Sequence, residues 1–473
     1  TQNPGAPGWA REGYTSGSEA SSASRDDGTS VRGVGSNFRR DVCGSIAAMR
    51  FVLATFGSWG DVKPFAAIAR RARRIGHDAV VVTDVWYADR LRARGVEVAG
   101  FDAGLDPDLP KRRPEIMHRW KGTGIFFREV LSPALAPMYQ ATRAAIDALG
   151  ADMVLCHHVA WGAMWAAQEM EAPWSMAAMA PASWMSLENP NMYPVMPDRD
   201  HYRMWALKLG NAVSRRVVRA MTDGVANRAR CNLGLPAQRD VMLARTFGGH
   251  MNLGLWSPQF RGPAGDDHAA SHVTGFPLES PDAEPELDPA IETFLDDGAP
   301  PVLITLGTSA GAISSEVPRM VAGVCAASRR RALILVGNRE SLPREMPPGI
   351  AAFEHAPYAR VMPRCAAVVH HGGVGTTSEV LRAGKPAVIV PFAHDQFDNA
   401  RRCRMAGCSV TLDRRTLNAA RIQTALDRVT DTATFAEASE RMRASIEQED
   451  GLGTALSLLA PSPVAATATS DGG

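Results

Sequence analysis

Short apolar runs alternate with amphipathic helical patterns in two separate stretches of this chain. In the first stretch, the run 50–56 ends at Gly57, the helical pattern 64–77 follows, and further apolar runs occupy 79–84 and 96–101. Apolar runs of this length, bounded by turns and separated by helices, are typical of buried strands in a parallel sheet. Parallel strands joined by helical crossovers build doubly wound sheets. The stretch therefore predicts one α/β domain.

The second stretch repeats this alternation nearer the C terminus. Its apolar runs are 301–308, 331–337, 350–355, 366–371, 385–392 and 409–412. The segment 258–300 is dense in Pro, Gly, Asp and Glu, which is typical of a linker. We expect an N-terminal domain over 49–257 and a C-terminal domain over 301–460, because 473 residues suffice for two domains. Two facing Rossmann-like sheets would place a ligand cleft between their carboxyl edges. The polar ends of the chain, 1–48 and 461–473, are predicted to be disordered.

Charge and apolar patterning exclude several classes of protein. Lys and Arg number 51 and Asp and Glu 50, and this net charge of +1 argues against nucleic acid or an anionic membrane as a partner selected by bulk charge. No apolar run reaches the roughly 18 residues that a membrane-spanning helix needs. Seven cysteines without a CxxC pair favour a reducing compartment. We therefore expect a cytoplasmic protein, while peripheral contact with a membrane and the oligomeric state stay open.

The strongest local signal lies where the apolar run 366–371 ends. His371 is followed by a turn that contains Gly373 and Gly375, and a helical pattern opens at Thr376. Glycines let a ligand approach the backbone, and a helix N-terminus offers free N–H groups with a partial positive charge. These features predict a pyrophosphate site at which the His371 ring donates to a phosphate oxygen. The turn matches neither GxxxxGK[ST] nor GxGxxG, which disfavours ATP hydrolysis and nicotinamide binding. A plain glycine-rich turn is the structural alternative.

Polar residues after this turn suit the rest of a nucleotide sugar. Glu379 lies one helical turn beyond Gly375, within reach of a ribose hydroxyl, although a solvated helix glutamate is the alternative. Asp395 and Gln396 follow the next apolar run and offer acceptor and donor groups for sugar hydroxyls. Asp395 is alternatively the N-cap of a helix over 396–406.

A second loop, 57–64, follows the first apolar run and faces the expected cleft from the N-terminal domain. Its carboxylate, Asp61, is suited to act as a general base on an acceptor hydroxyl, with a pKa adjusted by partial burial. The alternative is that Asp61 only caps the helix that follows.

The residues that would bind an acceptor are the least defined by the sequence. More than half of the methionines and tryptophans fall between Met117 and Trp205, which suits a pliable apolar pocket. His157 and Trp161, after the apolar run 153–156, are candidate pocket residues, and a structural role in the core is the alternative. The DxD sequence Asp106-Pro107-Asp108 is interpreted as a proline-rich turn, so no metal site is predicted.

Taken together, these segments resemble the family 1 glycosyltransferases, especially the bacterial antibiotic and lipid enzymes and the sterol glucosyltransferases. The resemblance rests on TFGSWGDVKPFAAIARRARRIGH (55–77), HVTGFPL (272–278), ITLGTSAG (304–311) and HHGGVGTTSEVLRAGKPAVIVPFAHDQFDNARR (370–402). The order of elements over 50–440 also fits this family. The resemblance implies the two-domain GT-B fold.

The resemblance also implies a role for each matching residue. Asp61 matches the general base of the antibiotic and sterol enzymes, and His355 lies where plant members stack a Trp on the uracil ring. The residues that match donor contacts are Thr308, Ser309, His371, Gly373, Gly375, Thr376, Glu379, Asp395 and Gln396. His394 replaces a residue that is often Gly in plant members. The donor nucleotide, uridine or thymidine diphosphate, and the hexose therefore stay undecided.

The sequence thus predicts an inverting transfer of a hexose from a nucleotide diphosphate sugar to a hydroxyl of an apolar small molecule or lipid. Neither a metal nor another cofactor is expected. Two alternatives stay open: a nucleotide-sugar 2-epimerase and a non-catalytic auxiliary protein that binds a nucleotide sugar.

Overall fold

A computed structural model describes residues 48–104, 112–190, 201–242, 249–307, 316–335, 337 and 346–460. The predicted leader up to residue 47, the predicted tail 461–473, the Asp106-Pro107-Asp108 turn and the candidate donor contacts Thr308 and Ser309 lie outside these residues. Within them the chain forms two parallel sheets, and the prediction of two facing Rossmann-like α/β domains is confirmed.

The N-terminal sheet has seven strands among the described residues, in the order β3-β2-β1-β4-β5-β6-β7. The strands are β1 (Arg50–Ala54), β2 (Asp78–Asp84), β3 (Glu97–Phe101), β4 (Met153–His157), β5 (Trp174–Ala178), β6 (Asn252–Gly254) and β7 (Ser271–Val273). All neighbours are parallel, and Leu53 of β1 lies opposite Val81 and Leu155.

The C-terminal sheet has six strands in the described part of the chain, in the order β10-β9-β8-β11-β12-β13. They are β8 (Val302–Thr305), β9 (Ala332–Leu335), β10 (Ile350–Phe353), β11 (Ala367–His370), β12 (Ala387–Ile389) and β13 (Ser409–Thr411). Strands β8 and β11 are central and parallel, so the loops that follow them open at the same edge.

Helices cover both faces of each sheet. In the N-terminal half they are α1 (Trp59–Arg74), α2 (Ala88–Arg92), α3 (Gly122–Ile125), α4 (Ser132–Leu149), α5 (Trp161–Glu169) and α6 (Met204–Asn232). A π-helical segment, Phe126–Leu131, joins α3 to α4. The later helices are α7 (Pro289–Asp296), α8 (Glu316–Ala327), α9 (Tyr358–Val361), α10 (Val374–Arg382), α11 (Gln396–Met405), α12 (Ala419–Asp431), α13 (Ala433–Glu447) and α14 (Gly451–Leu459).

Helix α1 illustrates how the sequence sets an element. Ser58 is its N-cap, and the helix ends before Gly76, whose φ of +92° interrupts a right-handed helix. Its inward side chains, including Phe65 and Ile68, are fully buried beneath the sheet. Burial of such side chains contributes about 1.5–3 kcal/mol each.

The domain boundaries differ from those predicted. Strand β7 extends the N-terminal sheet and α7 is a regular helix, so the segment 258–300 is more than a linker. The last described helix, α14, packs in the same core as α1, through Leu456 and Leu459. The chain therefore returns to the N-terminal domain within the segment assigned to the C-terminal one. The Pro- and Gly-rich composition concealed β7, because that strand has only three residues.

The two domains share apolar contacts. Ile116 and Ile125 from the N-terminal half pack into a C-terminal core that includes Phe392. Trp184 and Trp256 pack with the other C-terminal core. No helix in the described ranges is long and apolar enough to cross a membrane.

Candidate active site

The two candidate loops meet where the carboxyl edges of the sheets face each other. A Cβ added to Gly375 would come 3.5 Å from Cα of Gly60, so the glycine-rich turn of one domain touches the loop of the other. The two loops therefore border one shared cleft, in agreement with the cleft that the sequence predicts.

Asp61 lies in the first turn of α1, and its two carboxylate oxygens face different surroundings. Oδ2 accepts hydrogen bonds from the backbone N–H of Ser58 at 2.7 Å and from its hydroxyl at 2.9 Å. Oδ1 lies 3.7 Å from Nε2 of His157. The N-cap is Ser58 and not Asp61, so the alternative that Asp61 is itself the cap residue is wrong. One oxygen still completes the capping arrangement, which fixes the direction of the other.

Two further features affect the position and the pKa of the Asp61 carboxylate. Gly57 has a φ of +138°, and a Cβ at this position would come 2.4 Å from Oδ2, so only glycine leaves room for the carboxylate. Burial raises the pKa of Asp61, and the hydrogen bonds from Ser58 oppose that rise. The side chain keeps 27% of its surface exposed. A partly buried carboxylate with a raised pKa and one accessible oxygen has the properties of a general base.

The buried His157 and the partly buried His158 lie behind Asp61 as an imidazole pair. Their rings are 4.3 Å apart between centroids, and His157 also contacts Phe65 edge-on at 5.7 Å. Burial lowers the pKa of His157 to about 3 and holds the pKa of His158 well below its usual range. Both rings are therefore neutral near pH 7. His157, a candidate acceptor-pocket residue, lies beside the candidate base.

Trp161, the second candidate pocket residue, has a structural environment. Its ring is 1% exposed, stacks on Phe127 at 5.5 Å, and donates its indole N–H to the carbonyl oxygen of His158 at 3.1 Å. These contacts support the alternative prediction for Trp161, which is a structural role in the core.

His371 closes the C-terminal side of the site. A Cβ at Gly373 would come 2.4 Å from Nε2 of His371, and one at Gly307 2.7 Å from Cε1, so glycines border the ring on two sides. Burial lowers the pKa of His371 to about 4, which keeps the ring neutral with a single N–H. Its Nδ1 is buried and makes no hydrogen bond with any described residue. Helix α10 begins directly after, at Val374.

The neighbouring candidate donor contacts differ in exposure. Thr376 is buried in the first turn of α10. Beside this turn, the hydroxyls of Tyr358 and Thr305 lie 2.7 Å apart and connect α9 to the end of β8. His355 follows β10 and is exposed at the same sheet edge, where a flat base has access to it.

Glu379 is buried and paired across the domain boundary. Nζ of Lys63, on α1, donates to Oε1 of Glu379 at 3.2 Å and lies 2.6 Å from a carboxylate oxygen of Glu284. Arg382 pairs with the other oxygen of Glu379. The alternative of a solvated helix glutamate is therefore wrong. The position expected to bind ribose is linked to the N-terminal domain in this conformation.

Asp395 lies at the N-cap position of α11, as the alternative reading proposed, but its side chain makes no capping bond. Oδ2 of Asp395 instead accepts a hydrogen bond from the Asn399 side chain at 2.7 Å. Burial raises the pKa of Asp395 to about 7, and the nearby Asp61 carboxylate acts in the same direction. The Asp61 carboxylate of the opposite domain thus makes Asp395 harder to ionise.

Gln396 has a different environment from the one expected. Its Oε1 accepts hydrogen bonds from the backbone N–H groups of Phe392 at 2.8 Å and Ala393 at 3.1 Å. The side chain is 4% exposed. Its amide oxygen therefore orders the loop that carries Asp395, a role that the expected sugar contact did not include.

His394 is a site residue whose position the sequence did not reveal. It has a φ of +56°, a conformation that favours glycine, which accounts for the glycine often present there in plant members. Nδ1 of His394 lies 3.2 Å from the hydroxyl of Thr123, and its ring contacts Phe126 at 6.2 Å. Burial lowers the pKa of His394 to about 4, against the effect of Asp61.

Lys63 and Thr123 were not singled out by sequence reasoning. Lys63 belongs to the quoted GDVKP segment, and its charge two residues after Asp61 was a usable signal. No local sequence pattern pointed to Thr123, because its partner, His394, is 271 residues away. Within the described ranges, no group of three or more His, Cys, Asp or Glu side chains is arranged to hold a metal ion.

Comparisons with known proteins show which proteins the chain is similar to. A model of the family described as erythromycin biosynthesis protein CIII-like, C-terminal domain, matches residues 307–450. The chain is 31% identical over 427 residues to O-mycaminosyltylonolide 6-deoxyallosyltransferase of Streptomyces fradiae, covering 87% of this chain and 97% of that protein. It is 28% identical over 374 residues to vancomycin aglycone glucosyltransferase of Amycolatopsis orientalis, covering 77% and 86% of the two chains.

Solved structures share the fold. Spinosyn rhamnosyltransferase SpnG, complexed with thymidine diphosphate, superimposes with a TM-score of 0.61 and 16% identity. The superposition covers 87% of this chain and 100% of that one. At this identity the likeness establishes the two-domain architecture, and the roles of individual residues depend on the site itself.

Proposed function

The chain belongs to the family 1 glycosyltransferases with the GT-B fold, and we propose that it transfers a hexose from a nucleotide diphosphate sugar to a hydroxyl of an apolar acceptor, with inversion at the sugar. The observation that carries this proposal is that the loop of Asp61 and the turn after His371, each from a different domain, meet at one cleft. A base and a phosphate-binding group on opposite sides suit a direct displacement between two bound substrates.

The diphosphate would bind at the turn around His371. Helix α10 directs free N–H groups and a partial positive charge toward this turn. The neutral His371 ring has one N–H to donate, and its buried Nδ1 has no partner among the described residues. As the bond from C1 to the diphosphate oxygen breaks, these donors stabilise the charge on the leaving group. The proposal assigns no metal or other cofactor to this step.

The acceptor would be activated by Asp61. Oδ1 of Asp61 takes the acceptor hydroxyl proton while the acceptor oxygen bonds to C1 of the sugar, and the nucleoside diphosphate leaves from the opposite face. Only the ionised carboxylate accepts a proton, so the raised pKa strengthens the base at the expense of its ionised fraction. The buried neutral histidines behind it, His157 and His158, add no competing positive charge.

The hexose would lie between Asp395 and the N-terminal domain. Asp395 is a partly buried acceptor for sugar hydroxyls, and His394 brings an imidazole edge against Thr123 and Phe126. Ribose binding at Glu379 requires the Lys63 ammonium to move, since Lys63 now pairs with that carboxylate. We therefore infer that donor entry is coupled to a rearrangement between the domains.

The relatives guide the choice of substrates. One named relative is a vancomycin aglycone glucosyltransferase and another acts on O-mycaminosyltylonolide, which supports a polycyclic or macrocyclic natural product as acceptor. The thymidine diphosphate bound to the structural neighbour supports a thymidine donor ahead of a uridine donor. Sterols and glycolipids belong to the same apolar acceptor class.

The test is a donor and acceptor panel scored by release of nucleoside diphosphate. Thymidine and uridine diphosphate hexoses are each incubated with macrolide aglycones, a glycopeptide aglycone and sterols, and products are identified by mass spectrometry. We expect release that depends on both substrates, together with one added hexose on the acceptor. Epimerised donor in the absence of any acceptor would instead support the 2-epimerase. Donor binding without turnover across the panel would support an auxiliary protein.

A further inference from the structure

Helix α6 exposes a row of large apolar side chains on its outer face. Trp205, Leu209, Val213 and Val217 follow each other at intervals of four residues and are 66%, 59%, 42% and 43% exposed. Because residues four apart lie on one face of a helix, they form a continuous strip, called here the α6 stripe. The strip is about 18 Å long from Trp205 to Val217, at 1.5 Å per residue.

The inner face of α6 is more polar than this strip. Asn211, Ser214 and Thr222 are fully or almost fully buried against the domain. Asn211 donates to backbone carbonyls of the segment before the helix, and Thr222 to its own helix. A surface helix normally turns its apolar residues toward the core. Leu207, Val218 and Val225 of α6 do face the core, so the outward α6 stripe is a second apolar face of the same helix. A contiguous apolar face left exposed indicates a binding surface.

The stripe continues into a second exposed feature. Met221, one turn beyond Val217, lines a cavity of about 400 Å³ together with Trp120, Lys121 and Arg128. Trp120 is 55% exposed. Tryptophan is favoured where an apolar phase meets water, because its ring is apolar and its N–H is polar.

Positive charge surrounds this surface. Helix α6 carries six basic residues and one acidic residue, Asp223. Lys208, Arg215 and Arg219 are neutralised by ion pairs with acidic residues of other segments. The exposed Arg216 and the cavity residues Lys121 and Arg128 make no ion pair with any described residue. In the described part of a chain with a net charge of +1, unpaired cations are therefore concentrated beside the α6 stripe.

We propose that the α6 stripe and the Trp120 cavity dock the protein on an anionic lipid bilayer. Apolar side chains would enter the boundary between headgroups and acyl chains, and Lys121, Arg128 and Arg216 would contact lipid phosphates. A second copy of this chain is a poorer partner, since a twofold interface would bring the same cations together. The near-zero net charge of the whole chain does not reveal this surface, because it averages over basic and acidic residues that lie in different places.

Flotation of the full-length protein with lipid vesicles tests the proposal. One set of vesicles contains phosphatidylcholine alone, and the other contains phosphatidylcholine with phosphatidylglycerol. We expect the protein to float with the anionic vesicles, and added salt to weaken that binding. The double variant Trp205→Ser/Leu209→Ser should lose this binding. Its matched control, Ile75→Ser/Val85→Ser, removes apolar side chains that are about half exposed from other elements and should retain it.

A second set of variants tests the role of charge by replacing single arginines with uncharged glutamine. Arg216→Gln and Arg128→Gln should each weaken binding about fivefold, because a basic residue near an anionic surface contributes about 1 kcal/mol. Arg441→Gln, on exposed α13, should leave binding unchanged. The proposal fails if the wild type does not float, or if test and control variants behave alike. It also fails if light scattering shows a dimer that the stripe variant dissociates while vesicle binding is absent, because the stripe is then an interface between copies.

Discussion

Nζ of Lys63 lies 3.2 Å from Oε1 of Glu379, so helix α1 of the N-terminal domain is ion-paired to helix α10 of the C-terminal domain. Lys63 lies two residues after Asp61 in α1, and Glu379 lies one helical turn after Gly375 in α10. Glu379 is also the residue matched to ribose binding. The closed arrangement of the cleft and the expected donor contact therefore involve the same carboxylate.

Lys63→Met should destabilise the protein and loosen the cleft. The change leaves the buried Glu284 and Glu379 carboxylates without a shared cation, although Arg382 still pairs with Glu379. Breaking a fully buried pair costs about 3–5 kcal/mol, and we expect about 1–3 kcal/mol here because Lys63 is partly exposed. Urea unfolding measures the loss, and small-angle scattering should show a larger radius of gyration.

The matched control for this change is Lys208→Met. Lys208 is half exposed and pairs with Glu188, so its loss should cost less than about 1 kcal/mol and leave the scattering unchanged. Equal effects of the two substitutions would contradict a special role for the Lys63 pair.

His371→Ala should weaken the binding of thymidine diphosphate itself. A hydrogen bond to a charged group contributes about 1.5–3 kcal/mol, so affinity should fall by about tenfold or more. Titration calorimetry measures the change, with the exposed His250→Ala as a control that should bind like the wild type. Equal affinity of the wild type and His371→Ala would remove His371 from the phosphate site.

Asp395→Asn should change how stability depends on pH. The pKa of Asp395 is about 7 in the folded protein and about 3.9 when unfolded, so the folded state binds the proton more tightly. The contribution of Asp395 to stability is therefore present at low pH and is lost as pH rises through this window, by up to about 1.4 kcal/mol per pH unit.

The asparagine cannot ionise, so the variant should gain unfolding free energy relative to the wild type between about pH 4 and pH 7. Urea unfolding at several pH values gives this difference. The contribution of the buried histidines to the pH dependence cancels, because both proteins contain them. Asp152→Asn is the control, and its effect on the pH dependence of stability should have the opposite sign. Arg50 lowers the pKa of the Asp152 carboxylate, so the contribution of Asp152 to stability is lost as pH falls. If the difference in unfolding free energy between Asp395→Asn and the wild type did not change with pH, the Asp395 carboxylate would be solvated in the folded protein.

The fold was predictable because its strands are local apolar runs. Each predicted run contains a strand, and parallel order follows from the helices between them. Strands β5 and β6 were not predicted, since WSMAA and NLG are too short or too rich in Met and Ala to stand out. The return of α14 to the N-terminal domain was not predictable either, because its apolar face suits either core.

The site was predictable only where a residue type and a turn coincide. The Asp61 loop and the His371 turn have such local signals, and they do lie together. The Lys63–Glu379 pair joins residues 316 positions apart, and no local pattern reports such a contact. Likewise, the positions of Gln396 and Trp161 follow from packing around them, which the periodicity of the sequence does not specify.

The proposed transfer depends most directly on Asp61, and Asp61→Asn tests it. The amide oxygen can still accept from Ser58, so the helix cap survives while the base is lost. We expect turnover to fall by about two orders of magnitude or more. Donor affinity in calorimetry should stay within about twofold, because donor contacts lie mainly on the other domain. Asp89→Asn, a fully exposed carboxylate, should retain full turnover. Unchanged turnover in Asp61→Asn would contradict the assignment of this residue as the base.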